Sequence, residues 1–206
     1  MPRTGRPRAF DRDTAFERAL RLFWALGYDA TTLARLKAAM GGLSTASFYA
    51  AFGSKDALFR EVLARYLDTH GQATAPLRDP RLPPREAVEE ALRRSARMQT
   101  APDHPGGCLM VLSATTCGSE DRHVQALLAA DRELNRTALE DCVHRAVAAG
   151  ALPPGTDAPG LAALFGTVLV GLSLQARDGV PLPVLEAAIS QAMAAWDGLA
   201  AAAPRR

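Results

Sequence analysis

Apolar residues recur along this chain at intervals of three and four, the period of helices with one buried face. Ala15, Phe16, Ala19, Leu20, Phe23 and Trp24 mark the first such face, and Gly27 closes the helix they predict. Asp11 or Asp13 caps its start, and Thr14-x-x-Glu17 also has the form of a capping box. A second helix begins at Thr31 or Thr32, with Leu33, Leu36 and Met40 on one face. Gly41-Gly42 reads as a turn. Ser44 then caps a third helix, STASFYAAF, in which Phe48 and Phe52 point inward while Thr45, Ser47 and Tyr49 face away. Gly53-Ser54 ends that helix. A fourth follows with Ala57, Leu58, Val62, Leu63, Tyr66 and Leu67 as its stripe.

Beyond residue 73 the pattern stays helical. The stretch 74–84, with four prolines, is a connector. Helices are expected over about 85–100, 121–149, 158–176 and 183–202, with a short apolar segment at 108–117. No convincing strand and no repeat is present, so the expected fold class is all-α. The organisation read from this pattern is a flexible basic arm at 1–10, a helix-turn-helix unit at 11–53, a connecting helix at 54–73 and a larger helical body at 74–206.

Charge sharpens that division. Residues 1–70 hold 11 Lys and Arg against 7 Asp and Glu, a net +4, while the remainder carries −2. A basic N-terminal third on a slightly acidic body suits a unit that meets a polyanion. The third helix has the right chemistry for the DNA major groove. Ser44, Thr45, Ala46 and Ser47 are small or hydrogen-bonding, so its backbone can approach base edges. The methyls of Thr45 and Ala46 suit thymine methyls. No Arg, Asn or Gln lies on this helix, so phosphate contacts and DNA shape should carry much of the selectivity. Tyr49 and Thr32 offer hydroxyls to phosphates. Lys55 offers a charge beside free helix N–H groups. Arg6 and Arg8, flanking Pro7, suit a narrow minor groove.

The segment from Arg8 to Leu67 resembles the N-terminal domain of the tetracycline-repressor (TetR-like) family of bacterial regulators. The resemblance is most specific from Ser44 to Leu58, where Tyr49, Phe52 and Lys55 take the family's places. Gly41-Gly42-Leu43 departs from the usual single glycine followed by a β-branched residue. The resemblance implies phosphate contacts from Thr32, Tyr49 and Lys55 and base-edge contacts from Ser44 to Ser47. It implies a homodimeric regulator on palindromic double-stranded DNA, most simply a repressor released by a small-molecule effector.

Two further expectations concern the body. Leu161, Leu164, Phe165, Val168, Leu169 and Leu172 exceed what one face of a surface helix needs. With Leu185, Ile189, Met193 and Trp196 they suggest a four-helix dimer interface, the arrangement the resemblance implies. An effector pocket is expected among Met98, Cys108, Met110, Leu112, Thr116, Cys117, Leu127 and Phe165. The run 161–176 is shorter than the ~20 residues of a membrane helix, so no membrane partner is expected.

The 3 cysteines form no CxxC pair, and MPRTGRPRAF lacks the apolar core of a secretory signal, so a reducing cytoplasm is expected. No cofactor and no metal site is expected. The rival readings are a metal or thiol sensor using Cys108 and Cys117, and a thiol enzyme, for which no catalytic motif is present.

Overall fold

The structure is a computed structural model whose described residues are 11–118 and 120–202. Arg6 and Arg8 lie outside them. Nine α-helices are described: α1 Arg12–Ala30, α2 Leu33–Ala39, α3 Thr45–Phe52, α4 Lys55–Asp68, α5 Pro84–Gln99, α6 Leu109–Thr116, α7 Arg122–Ala148, α8 Ala158–Arg177 and α9 Leu182–Ala201. A 3-10 stretch, His70–Arg78, joins α4 to the body. No strand is found among the described residues, in agreement with the all-α expectation.

Side-chain caps set several helix starts. The Asp11 carboxylate accepts from the N–H groups of Asp13 and Thr14, which puts Thr14 inside α1 and leaves no Thr14–Glu17 capping box. Thr32, Ser44 and Ser54 cap α2, α3 and α4 through the N–H of Arg35, Ser47 and Ala57. The connecting helix stops at Asp68 rather than running to 73, because Thr69 leaves helical geometry (φ −118°, ψ −86°) and the chain tightens into the 3-10 stretch.

Two apolar clusters organise the molecule. The first joins Phe16, Phe23, Trp24, Phe48, Phe52 and Phe59 of α1, α3 and α4. It also takes in Leu109 and Met110 of α6 and Val124 and Leu128 of α7. The N-terminal helices therefore share a core with α6 and the first turns of α7. The second cluster lies between α5, α7, α8 and α9, around Leu92, Leu139, Phe165, Ile189 and Trp196. Each large side chain fully buried this way contributes about 1.5–3 kcal/mol of transfer free energy.

α1 meets α6 at a tight joint. Gly27 does not end α1 but bends it, at φ 77° and ψ 179°. That backbone region is open essentially to glycine alone. A Cβ there would also overlap Thr116 Oγ1. Three further bonds tie α1 to the body: Trp24 Nε1 donates to Gly107 O (2.9 Å), Arg21 to Asp103 O (2.7 Å), and Arg177 to Ala25 O (2.9 Å).

Candidate nucleic-acid interface

α2, the Gly41-Gly42 turn and α3 form the candidate site. Gly41 and Gly42 both have positive φ, 93° and 82°. The N–H groups of Gly42 and Leu43 both donate to Lys37 O, at 2.9 and 3.1 Å, closing α2. Side chains with a Cβ pay a steric penalty in that region, so the doubled glycine is what the doubled left-handed turn requires.

On α3, Phe48 and Phe52 are buried, whereas Ser44, Thr45, Ala46, Ser47, Tyr49 and Ala50 are all exposed. The helix thus anchors through two rings and presents a small, polar face to solvent. Tyr49 is 49% exposed, so its ring and hydroxyl stand on this open face. Thr32 is exposed at the start of α2. Lys37 was missed by the sequence reading: its Nζ donates to Thr45 Oγ1 at 2.7 Å, bringing a cation to the start of α3. The i to i+8 reach across a turn gave no periodic signal. Ser44 Oγ also donates to Ser47 Oγ at 2.9 Å.

Lys55 is placed differently from a free phosphate clamp. Its Nζ lies 4.0 Å from the centroid of the Tyr28 ring. Burial lowers its pKa, opposed by the Asp121 and Asp29 carboxylates. Around it, Tyr28 Oη donates to Asp56, His123 Nε2 lies 2.8 Å from Asp56, and Gly118 N–H donates to Asp29. These groups form a polar junction between the N-terminal helices and the α6–α7 loop. Asp29, Cys117 and Asp121 place their donor atoms within 4.8 Å of one another there, with Lys55 supplying an opposing charge.

The body holds a cavity of about 430 Å³ between α4, the 3-10 stretch, α5, α6, α7 and α8. Met98, Cys108 and Met110 border it. Leu112, Thr116, Cys117, Leu127 and Phe165 do not, which corrects the sequence reading. Leu112 is buried against Gly107, Thr116 sits under Gly27, and Cys117 belongs to the polar junction. Leu127 packs in the first cluster and Phe165 in the second. The reading missed Ser95, Gln99 and Ser173, which border the cavity yet are almost fully buried. A signal was present: Ser95 and Gln99 interrupt the apolar stripe Ala87, Val88, Ala91, Leu92, Ala96 of α5.

The thiols do not form a pair. Cys108 and Cys117 flank opposite ends of α6, so roughly 13 Å of helix rise separates them. A disulfide or shared metal needs far closer approach. Burial pushes all three thiols above their ordinary pKa, which disfavours the thiolate that redox sensing and nucleophilic catalysis need. The His104 ring stacks on Trp24 at 4.3 Å.

The dimer expectation also needs correction in its residues. Leu161, Leu172, Leu185, Ile189, Met193 and Trp196 are buried within the chain. Leu164 is 39% exposed and Val168 is partly exposed. α8 is long and apolar enough to cross a membrane by length and composition, with a mean hydropathy of 1.5, yet only 33% of that window is buried.

A capped turn-and-helix unit with an exposed polar recognition face, fused to a helical body around a cavity, defines a helix-turn-helix regulator. Comparison with known proteins specifies the family. Residues 16–62 match the model of bacterial regulatory proteins of the tetR family, and residues 84–179 match a tetracyclin repressor-like C-terminal domain. The HTH-type transcriptional repressor ComR of Escherichia coli (strain K12) is 32% identical over 196 residues, covering 95% of this chain and 93% of its own. The repressor BdcR of the same organism is 32% identical over 176 residues, 85% of this chain and 83% of its own. A cysteine mutant of the TetR family regulator CifR, complexed with 26 bp double-strand operator DNA, has a TM-score of 0.81 and 44% identity. It covers 93% of this chain and 100% of its own. The chain belongs to the TetR family, as a DNA-binding transcriptional regulator and not an enzyme.

Proposed function

We propose that this protein is a homodimeric cytoplasmic repressor that binds a palindromic operator and is released by a small molecule held in the body cavity. The observation that carries the DNA reading is the α3 face. Ser44, Thr45, Ala46 and Ser47 are exposed around a buried Phe48–Phe52 anchor. These four approach base edges in the major groove, and Thr32 and Tyr49 reach phosphates. Lys55 joins them by exchanging the Tyr28 ring for a phosphate. Lys37, already at Thr45, adds positive charge at the groove wall. Arg6 and Arg8 extend the contact into the minor groove.

Dimerisation uses the faces of α8 and α9 that the chain itself leaves open. On α8 these are Leu164, Val168 and Gly171; on α9 they are Val184, Ala188, Ala195 and Leu199, spaced one and two turns apart. Water contact along so apolar a helix as α8 is costly, and a second copy removes it. Two-fold pairing presents two α3 helices to half-sites about one helical turn apart.

Release is a shift between two arrangements of the dimer, and the effector can move it only by its difference in affinity for them. α4 is the lever. It starts at Lys55, beside the recognition helix, and carries Tyr66 and Leu67 to the cavity, about 17 Å along its axis. α6 moves with it, because Tyr66 Oη donates to Cys108 Sγ at 3.2 Å and Thr116 bears on Gly27. Selection of random duplex DNA by the purified protein tests the proposal. Enrichment of a palindrome with half-sites about one turn apart is expected; retention without enrichment would reject sequence reading by a dimer.

A further inference from the structure

Among the described residues, six buried side-chain N and O atoms have no hydrogen-bond partner. Four of them belong to residues that border the body cavity described above: Ser95 Oγ, Gln99 Oε1, Ser173 Oγ and Arg132 Nη1; Gln99 also borders a second hollow beside Gly179 and Pro181. Buried polar atoms are almost always paired, and one left unpaired is expensive. Such a concentration needs a shared cause. Ser95 and Gln99 stand one turn apart on the same face of α5, and Ser173 comes from α8, which packs against α5. Their residues are 1%, 2% and 0% exposed. Next to them the wall is apolar, supplied by Met98, Met110, Val111, Leu139, Leu169 and Val170.

We infer that the cavity takes a neutral organic molecule with an apolar body and a single hydroxyl or carboxamide head seated among Ser95, Gln99 and Ser173. This rests on the effector-pocket reading above and adds the chemical class. The head must both donate and accept. Gln99 presents an acceptor oxygen, and the two serine hydroxyls each donate or accept. A hydroxyl or carboxamide meets all three; a hydrocarbon meets none.

The head is neutral because Ser95, Gln99 and Ser173 carry no charge to balance an ion, and burying an unbalanced ion costs far more than burying a hydroxyl. The ionised groups lie on α7. There Asp131, Arg132 and Arg136 border the cavity; Arg136 is already paired with Glu133, and a carboxylate drawn to Arg132 also meets Asp131. Arg132 Nη1 remains a donor for a second, uncharged oxygen. At about 30 Å³ per water, 430 Å³ equals about 14 waters, room for a compact aryl or medium-chain alkyl compound.

Isothermal titration of the full-length protein with five probes of one skeleton tests this. The probes are 3-phenylpropanol, 3-phenylpropanamide, propylbenzene, 3-phenylpropanoate and 3-phenylpropylammonium. The alcohol and amide should bind saturably and at least about tenfold tighter than the other three. Gln99→Leu keeps the backbone carbonyl that accepts from Gly107 N–H and removes one of the polar head's three partners. It should weaken the alcohol by at least about threefold while propylbenzene is unchanged. Equal binding of alcohol and hydrocarbon by the parent, tightest binding of the carboxylate, or no saturable binding of any probe would overturn the inference, and none of these needs the variant to fold. Operator affinity measured in parallel separates the two readings. Head-group preference without any effect on operator binding keeps the ligand class and rejects the effector role. Operator release by all probes alike keeps the effector role and rejects the class.

Discussion

Gly27→Ala perturbs the tight joint between α1 and α6. Gly27 sits at φ 77° and ψ 179°, and an alanine held there costs about 1–3 kcal/mol in backbone strain alone. Its Cβ would overlap Thr116 Oγ1 and lie 3.2 Å from Thr116 Cβ, so α6 must move or Thr116 must change rotamer. Overpacking of this kind costs about 1–3 kcal/mol more. A total near 3 kcal/mol is expected, which lowers the melting temperature by about 6–12 °C in a chain of this size. Urea unfolding followed by circular dichroism measures it, with thermal melting as a check. Adding Thr116→Ala removes the overlapping hydroxyl but leaves the strained backbone and the tight Cβ contact. The double variant should therefore recover only about 1 kcal/mol. A Gly27→Ala protein within about 0.5 kcal/mol of the parent would refute the reasoning, because strain and overlap would then both be absent.

Three other perturbations address the charge, the interface and pH. Lys55→Ala should weaken binding to every DNA sequence and reduce the slope of log affinity against log salt by about 1; an unchanged slope would keep Lys55 on the Tyr28 ring. Leu164→Arg combined with Ala195→Arg should give folded monomers in sedimentation, whereas Trp196→Asp, which charges a side chain only 2% exposed, should unfold the body; a surviving dimer of the first variant would move the interface elsewhere. His70, beside Trp24 at 4.8 Å, has its pKa lowered from 6.5 by burial and then by His104. Between 6.5 and that lower folded value the unfolded chain takes up a proton that the folded chain refuses, so stability should fall as pH drops through this window. In His70→Gln this part of the pH dependence should vanish, and an identical stability profile would show that His70 does not cause it.

Most of the helical order was legible because it is local. Periodic apolar residues, capping Ser and Thr, and Gly and Pro breaks fix helix extents to within a few residues, and the α3 face follows from Phe48 and Phe52 alone. What sequence left hidden is which apolar face meets which neighbour. Trp196, Met193, Ile189 and Leu185 form the strongest stripe of α9, and the chain spends that stripe on its own core, against Phe165 and its neighbours. The weaker stripe of alanines beside it stays open. The cavity was hidden for a similar reason. Leu112, Phe165 and Met110 are equally apolar, and only tertiary packing separates wall from core. The polar residues misplaced in an apolar stripe, Ser95 and Gln99, were the better guide. Cys108 and Cys117, joined only in the rival sensor reading, lie at opposite ends of α6, which separates them.

The measurement that bears most directly on the central claim is the base preference of Thr45→Ala on the selected operator, substituted one position at a time. Altered preference is expected at a single position in each half-site, mirrored about the dyad, with other positions as in the parent. Uniform weakening at all positions, or a change on one side only, would contradict the claim that paired α3 helices read the DNA.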